Sequence, residues 1–120
     1  MAQHNQLGEK GENLAVLMLQ KKGYTILNEN WRSSRNEIDI VAKIGETIVF
    51  VEVKTRSTEF FGDPREAVSI AKQKRLIQAA NDYLEQEQLE LEARFDVVSI
   101  VISSTETKLD HLEDAFFPMA

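Results

Sequence analysis

The chain has 120 residues, 42% hydrophobic and 28% charged, with five glycines and two prolines, the proportions of one globular domain burying a single core and not of a disordered tail. It contains no cysteine, which excludes a disulfide scaffold, a thiolate nucleophile and any cysteine-ligated zinc or iron-sulfur site. Its formal charge of −6 argues at first against a nucleic-acid partner, yet residues 1–80 hold 12 basic and 10 acidic side chains, net +2, whereas residues 81–120 hold 2 and 10, net −8.

The stretch Met1 to Gln6 is polar, and the longest apolar run, Leu14 to Leu19, is far too short to span a bilayer. A cytoplasmic protein without membrane contact is expected, with residues 1–120 forming one domain. From about Gly8 to Lys22 the apolar residues cover most of a helical circumference, leaving Asn13 and Gln20 as a narrow polar edge. Lys21 and Lys22 suit the negative end of the helix dipole, and Gly23 suits a left-handed C′ position. Tyr24 to Trp31 reads as a strand ending near Arg32-Ser33-Ser34, and Glu37 to Ile44 as a second, joined through Gly45-Glu46 to a third at Thr47 to Lys54. The run Ile48-Val49-Phe50-Val51 is continuous enough for a central strand covered on both faces. Asp63-Pro64-Arg65-Glu66 has the pattern of a helix start, and Ser69 can open the main helix, which runs to about Gln86 on Ile70, Ile77 and Leu84. Arg94 to Ile102 is a fourth strand, and Lys108 to Phe116 a short edge strand or turn. Helix, three strands, helix, strand predicts an α/β fold with a central mixed β-sheet flanked by helices.

Glu52 and Lys54 interrupt the most apolar strand at i and i+2, projecting from one face. Burying both costs several kcal/mol unless they are paired or hold a metal, so either a structural salt bridge or a site is implied. In the preceding strand Ile38 and Ile40 are expected to share one face and Asp39 the other. If neighbouring strands bring Asp39 to Glu52, the two carboxylates repel until a cation neutralises them. With no cysteine, and histidine only at His4 and His111, the oxygen ligands suit Mg²⁺ or Mn²⁺ better than zinc. Glu12, beside Val16 and Leu19 on the helical wheel, can reach inward as a further ligand or stand as an ordinary solvated residue.

An acidic residue on one strand, Glu-x-Lys on the next and helices before and after resemble the PD-(D/E)xK nuclease superfamily. More closely, Gly8-Glu9-Lys10-Gly11-Glu12, Asn36-Glu37-Ile38-Asp39, Val51-Glu52-Val53-Lys54-Thr55-Arg56 and Arg94-Phe95-Asp96-Val97-Val98 resemble the YraN family of small bacterial endonuclease-like proteins. Ile38 stands where the superfamily name has proline, and Asn36 where the family usually has glycine; neither removes a ligand. The resemblance implies a restriction-endonuclease-like αβββαβ core, similar in fold to archaeal Holliday-junction resolvases. It also implies a metal-dependent endonuclease acting on DNA, including branched or repair intermediates, with Asp39, Glu52 and Lys54 as catalytic residues. One or two Mg²⁺ or Mn²⁺ ions would be held by Glu12, Asp39, Glu52 and the Val53 carbonyl.

Residues 54–75 carry six basic and three acidic side chains. Arg56, Lys72, Gln73, Lys74 and Arg75 are therefore candidate nucleic-acid contacts, Gln73 by its place on the sheet-facing stripe, although a solvated helix face is the ordinary account of such a run. Phe60-Phe61 can wedge against bases, pack in the core or meet a partner copy in a homodimer; Trp31 and Phe116-Phe117 belong to core or interface. Two other functions fit the same residues: a non-catalytic nucleic-acid-binding module, and a protein-interaction adaptor using the acidic last 40 residues. A nuclease predicts that DNA meets the face carrying Lys54, Arg56 and the start of the main helix, with the acidic segment turned elsewhere.

Overall fold

In the computed structural model, which describes residues 6–34, 36–57 and 68–117, helix α1 runs Gln6–Lys21 and ends where Gly23 takes φ +95°, a conformation that costs a side chain dearly. The Lys22, Gly23 and Tyr24 amides fold back onto the carbonyls of Met18, Leu19 and Gln20, so the last turn is satisfied. Gly11, Ala15 and Leu19, four apart, are its buried stripe. This is narrower than the apolar sector in the sequence, because Leu17 is left exposed.

Three strands follow in a meander, β1 Thr25–Ser33, β2 Asn36–Ile44 and β3 Thr47–Arg56, with Gly45 at φ +56° in the β2–β3 turn. Helix α2, Ile70–Gln86, returns the chain to β4, Glu92–Ile102, which lies parallel to β3. The stretch read as edge strand or turn is a full strand, β5, Thr107–Phe116, antiparallel to β4. The sheet order is β1-β2-β3-β4-β5, so β3 is central, as its unbroken apolar run requires. Ser69 caps α2, its Oγ accepting from the Lys72 N–H at 3.1 Å. The expected helix start at Asp63 to Glu66, with Arg65, and the Phe60-Phe61 pair lie outside the described residues.

Each face of the sheet has its own core. On the α2 side Ile48 and Phe50 pack with Leu76, Ala79, Ala80 and Tyr83, and Phe95 stacks between Phe50 and Phe116 with ring centres 5.6 and 5.1 Å away. Trp31 joins this cluster edge-on to Tyr83. On the α1 side Val49 and Val51 pack with Ala15, Leu19, Val98 and Ile100. Full burial of a side chain such as Phe50 or Leu19 stabilises by roughly 1.5–3 kcal/mol.

One local expectation is corrected. Ile38 packs in the α2-side core and Ile40 in the α1-side core, so they do not share a face. The alternation of β2 breaks at Asp39, opposite Asn30, which takes φ +52° in β1. The β2–β3 ladder also stops there: its pairs run from Ile44↔Thr47 to Ile40↔Val51. Beyond that point β2 continues against β1 alone, and β3 continues to Arg56 against β4 alone. The two central strands therefore part into a notch beside Asp39.

Candidate active site

A strand leaving its partner exposes backbone donors and acceptors that need new partners. The Val53 N–H, turned toward the notch, is met by the Asp39 carboxylate, Oδ2 accepting at 2.8 Å. Extended backbone directs a residue's N–H and C=O to the same edge, so the Val53 carbonyl faces the notch as well.

Glu52, the preceding residue, is buried at 4% exposure. Its carboxyl is pushed up to about 8, first by burial, then by repulsion from Asp39 and by a hydrogen bond shared with that carboxylate. The ammonium groups of Lys72 and Lys54 oppose the rise without cancelling it, and Lys72 acts more strongly, with Nζ 3.5 Å from Glu52 Oε2. The two carboxylates foreseen in the sequence thus meet, and their meeting raises the proton affinity of Glu52.

Helix α1 brings Glu12 to the same neighbourhood by an unusually close approach. A Cβ on Gly11 would lie 1.8 Å from Thr55 Oγ1, so only glycine lets the helix rest on β3 at this point. Burial and then the Asp39 charge raise the Glu12 carboxyl, while a hydrogen bond with Asn30 opposes them. Among the described residues no three histidine, aspartate or glutamate side chains close on one point. The arrangement is therefore a pair of converging carboxylates with Glu12 standing off, not a preassembled cage. Mg²⁺ keeps most of its waters and is usually bound through one or two carboxylates, so an all-oxygen pair whose repulsion calls for a cation fits that ion.

The other predicted residues divide. Lys54 is half-buried two residues beyond Glu52, with Arg56 two further along β3. Lys72 and Arg75 line a cavity of about 170 Å³ with Asn36, Glu37 and Leu76. Gln73 and Lys74 lie instead in a groove between α2 and the end of β5, with Ile70, Ile77 and Phe117, and the Gln73 Nε2 donates to the Val68 carbonyl at 3.1 Å. The basic run thus faces two ways. The acidic strand β5 is the sheet edge two strands from β3, on the side away from the notch.

Sequence reasoning missed a second charged centre. Asp96, fully buried in β4, accepts from Arg94 Nε at 2.9 Å and Nη2 at 2.8 Å, from the Asp114 N–H at 3.0 Å and from His111 at 2.7 Å. Lys22 has only donors to offer His111 Nδ1, so the imidazole accepts there and donates through Nε2 to Asp96. Burial alone would raise the Asp96 carboxyl, but the bonds from His111, Arg94 and the Asp114 amide outweigh it and hold it below the ordinary range. The signal was available: Asp96 interrupts Phe95, Val97 and Val98 as Glu52 interrupts β3.

The mixed sheet and its order of elements are consistent with a restriction-endonuclease-like core. Residues 11–100 match the family described as "Uncharacterised protein family UPF0102". Proteins named for that family are similar throughout: one from Christiangramia forsetii is 47% identical over 117 residues, 98% of each chain. One from Flavobacterium psychrophilum is 48% identical over 117 residues, again 98% of each, and one from Geobacter metallireducens is 48% identical over 118, 97% of each. The chain belongs to the UPF0102 family, the YraN family of the sequence resemblance.

Proposed function

We propose that the chain is a Mg²⁺- or Mn²⁺-dependent endonuclease that hydrolyses DNA phosphodiester bonds. The observation that carries this reading is the meeting of Asp39 and Glu52 in the notch between β2 and β3, with Glu52 raised to about 8, because buried like charges drawn together without full compensation mark a cation site. Asp39, Glu52 and the Val53 carbonyl would hold the ion, with Glu12 within reach. When bound, the ion supplies positive charge at the scissile phosphate and acidifies a water for attack. Asp39, fixed by the Val53 N–H, orients the site from the point where the pairing of β2 with β3 stops. Lys54 either aligns the attacking water or meets the negative charge that builds on the phosphate. Arg56, Lys72 and Arg75 offer cations to the flanking backbone, with Gln73 and Lys74 further along α2.

Purified protein with Mn²⁺ and a panel of linear, flapped and four-way DNA tests this. Cleavage lost in Asp39→Ala and in Lys54→Ala supports the assignment; cleavage that survives either substitution overturns it. A second reading, a nucleic-acid-binding module without catalysis, draws on Lys72, whose ammonium already stands beside Glu52. It predicts metal-independent DNA binding and no cleavage of any substrate in the panel. As an address, a cytoplasmic location suits a DNA enzyme, and among the described residues no helix is long and apolar enough to cross a membrane.

A further inference from the structure

Lys72 occupies a position that helix formation does not explain. Ser69 is the N-cap of α2, so Ile70, Ala71 and Lys72 are its first three residues, and no acidic residue stands in that turn. The third position of a helix, near the positive end of the dipole, favours Glu or Gln; a lysine there is repelled. What the lysine gains is Glu52, 3.5 Å from its ammonium and buried, while the lysine side chain itself is 38% exposed. Its main chain is pinned, since its N–H donates to Ser69 Oγ, but its four-carbon stem is free to turn. A second carboxylate, Glu37, lines the same small cavity, with Asn36 and Arg75.

From this we infer that the Lys72 ammonium is the resident counterion of Glu52 in the metal-free protein and that a divalent cation must displace it. Lys72 and the metal compete for one carboxylate. Once displaced, the ammonium turns into the cavity it already lines with Glu37 and Arg75, where it meets a phosphate of the nucleic acid. Lys72 is thus a positioning residue that keeps the site closed to phosphate until the metal arrives. The inference rests on the proposed metal site and adds an order of events to it.

Mn²⁺ binding followed by calorimetry and by the free-ion resonance signal, in the absence of DNA, separates the two claims. Lys72→Met keeps the stem and removes the charge, and Lys72→Gln serves if the methionine variant does not fold. Lys74→Met removes an equal charge two residues along, on the groove turned toward β5. Displacement predicts that Lys72→Met tightens Mn²⁺ binding by about fivefold, the strength of a half-exposed ion pair, while Lys74→Met changes it less than about twofold. With Mn²⁺ bound, Lys72→Met should weaken DNA binding, whereas without metal it should leave it almost unchanged. Equal tightening by both substitutions would reduce the effect to general charge and overturn the inference, as would no tightening in Lys72→Met. If the wild-type chain binds Mn²⁺ and Asp39→Ala abolishes it, those results overturn the role of Lys72 alone; if no Mn²⁺ binds at all, the metal site and this role fall together.

Discussion

Gly11→Ala is the substitution whose cost is most directly fixed by geometry. An added Cβ would lie 1.8 Å from Thr55 Oγ1, 2.8 Å from its Cβ and 2.9 Å from its Cγ2. Rotation about χ1 can remove the hydroxyl and the methyl from the path, but the Thr55 Cβ is fixed to a central strand. Helix α1 must therefore retreat from β3. Alanine in place of glycine favours a helix by about 1 kcal/mol, whereas overpacking of a rigid contact costs about 1–3 kcal/mol, and the immovable Cβ puts this case at or beyond the top of that range. The net is a loss of about 2 kcal/mol, or roughly 6–10 °C in Tm for a domain of this length.

Urea unfolding followed by circular dichroism measures it, and a double-mutant cycle isolates the clash. Thr55→Gly removes all three offending atoms, so the pair Gly11→Ala with Thr55→Gly should recover about 3 kcal/mol, the full cost of the clash, relative to the sum of the single effects. Thr55→Ala leaves the Cβ and should recover only part. A Gly11→Ala protein as stable as the wild type, or a cycle with no coupling, would refute the account of how α1 is seated. Because Glu12 follows Gly11, the same retreat should draw its carboxylate from Asp39 and weaken Mn²⁺ binding.

Three further outcomes are expected. The Glu52 carboxyl is raised on folding, so its contribution to stability is complete below about 4.5, the value of a free carboxyl, and is lost as pH climbs through about 8. Urea titrations of the metal-free protein should show that decline, and Glu52→Gln should flatten it; an unchanged slope would contradict the burial of that group. Asp96 runs the other way: lowered on folding, it stabilises above the free-aspartate value of about 3.9 and the contribution disappears as pH falls through the folded value. Asp96→Asn leaves the Arg94 guanidinium without its buried anion and should cost about 3 kcal/mol in chemical denaturation, without altering Mn²⁺ affinity in the folded fraction. Lys54→Ala should retain Mn²⁺ binding by calorimetry while losing cleavage, and Asp39→Ala should lose both.

Much of this architecture is legible in the residues. Gly23 marks the end of α1, Ser69 the start of α2, and the Ile48–Val51 run the central strand, because each rests on local backbone or burial requirements that short sequence windows carry. The meeting of Asp39 and Glu52 is legible too, through the cost of charge in an apolar strand. The break of β2 at Asp39 is not: it coincides with φ +52° at Asn30 across the ladder, and a period-two pattern carries no sign of it. Nor does a run of basic residues reveal that Lys72 turns to Glu52 while Lys74 turns to the groove near β5. Direction around a helix depends on what the helix packs against, and that is set by the sheet.

Two carboxylates on neighbouring parallel strands give the strongest ground for separating a site from a scaffold. Asp96 and Glu52 lie one residue apart in the β3–β4 register, which pairs Val51 with Asp96 and Glu52 with Val97, and both are buried. Asp96 faces the α1 side and is enclosed by Arg94, His111 and the Asp114 amide, and its proton affinity falls accordingly. Glu52 faces the α2 side, has a second carboxylate as its neighbour and one lysine at 3.5 Å, and its proton affinity rises. Burial is the same in both cases; compensation is what differs. A fold that can surround Asp96 with three partners has the means to neutralise a buried charge internally, and at Glu52 it supplies a repelling aspartate instead. On the proposed nuclease reading, that deficit, at the notch where the central strands part, is what a cation entering from solvent would fill, and because the −8 of residues 81–120 is carried in good part by the α2–β4 connection and the distant β5 edge, a phosphate backbone would approach past Lys54 and the first turn of α2.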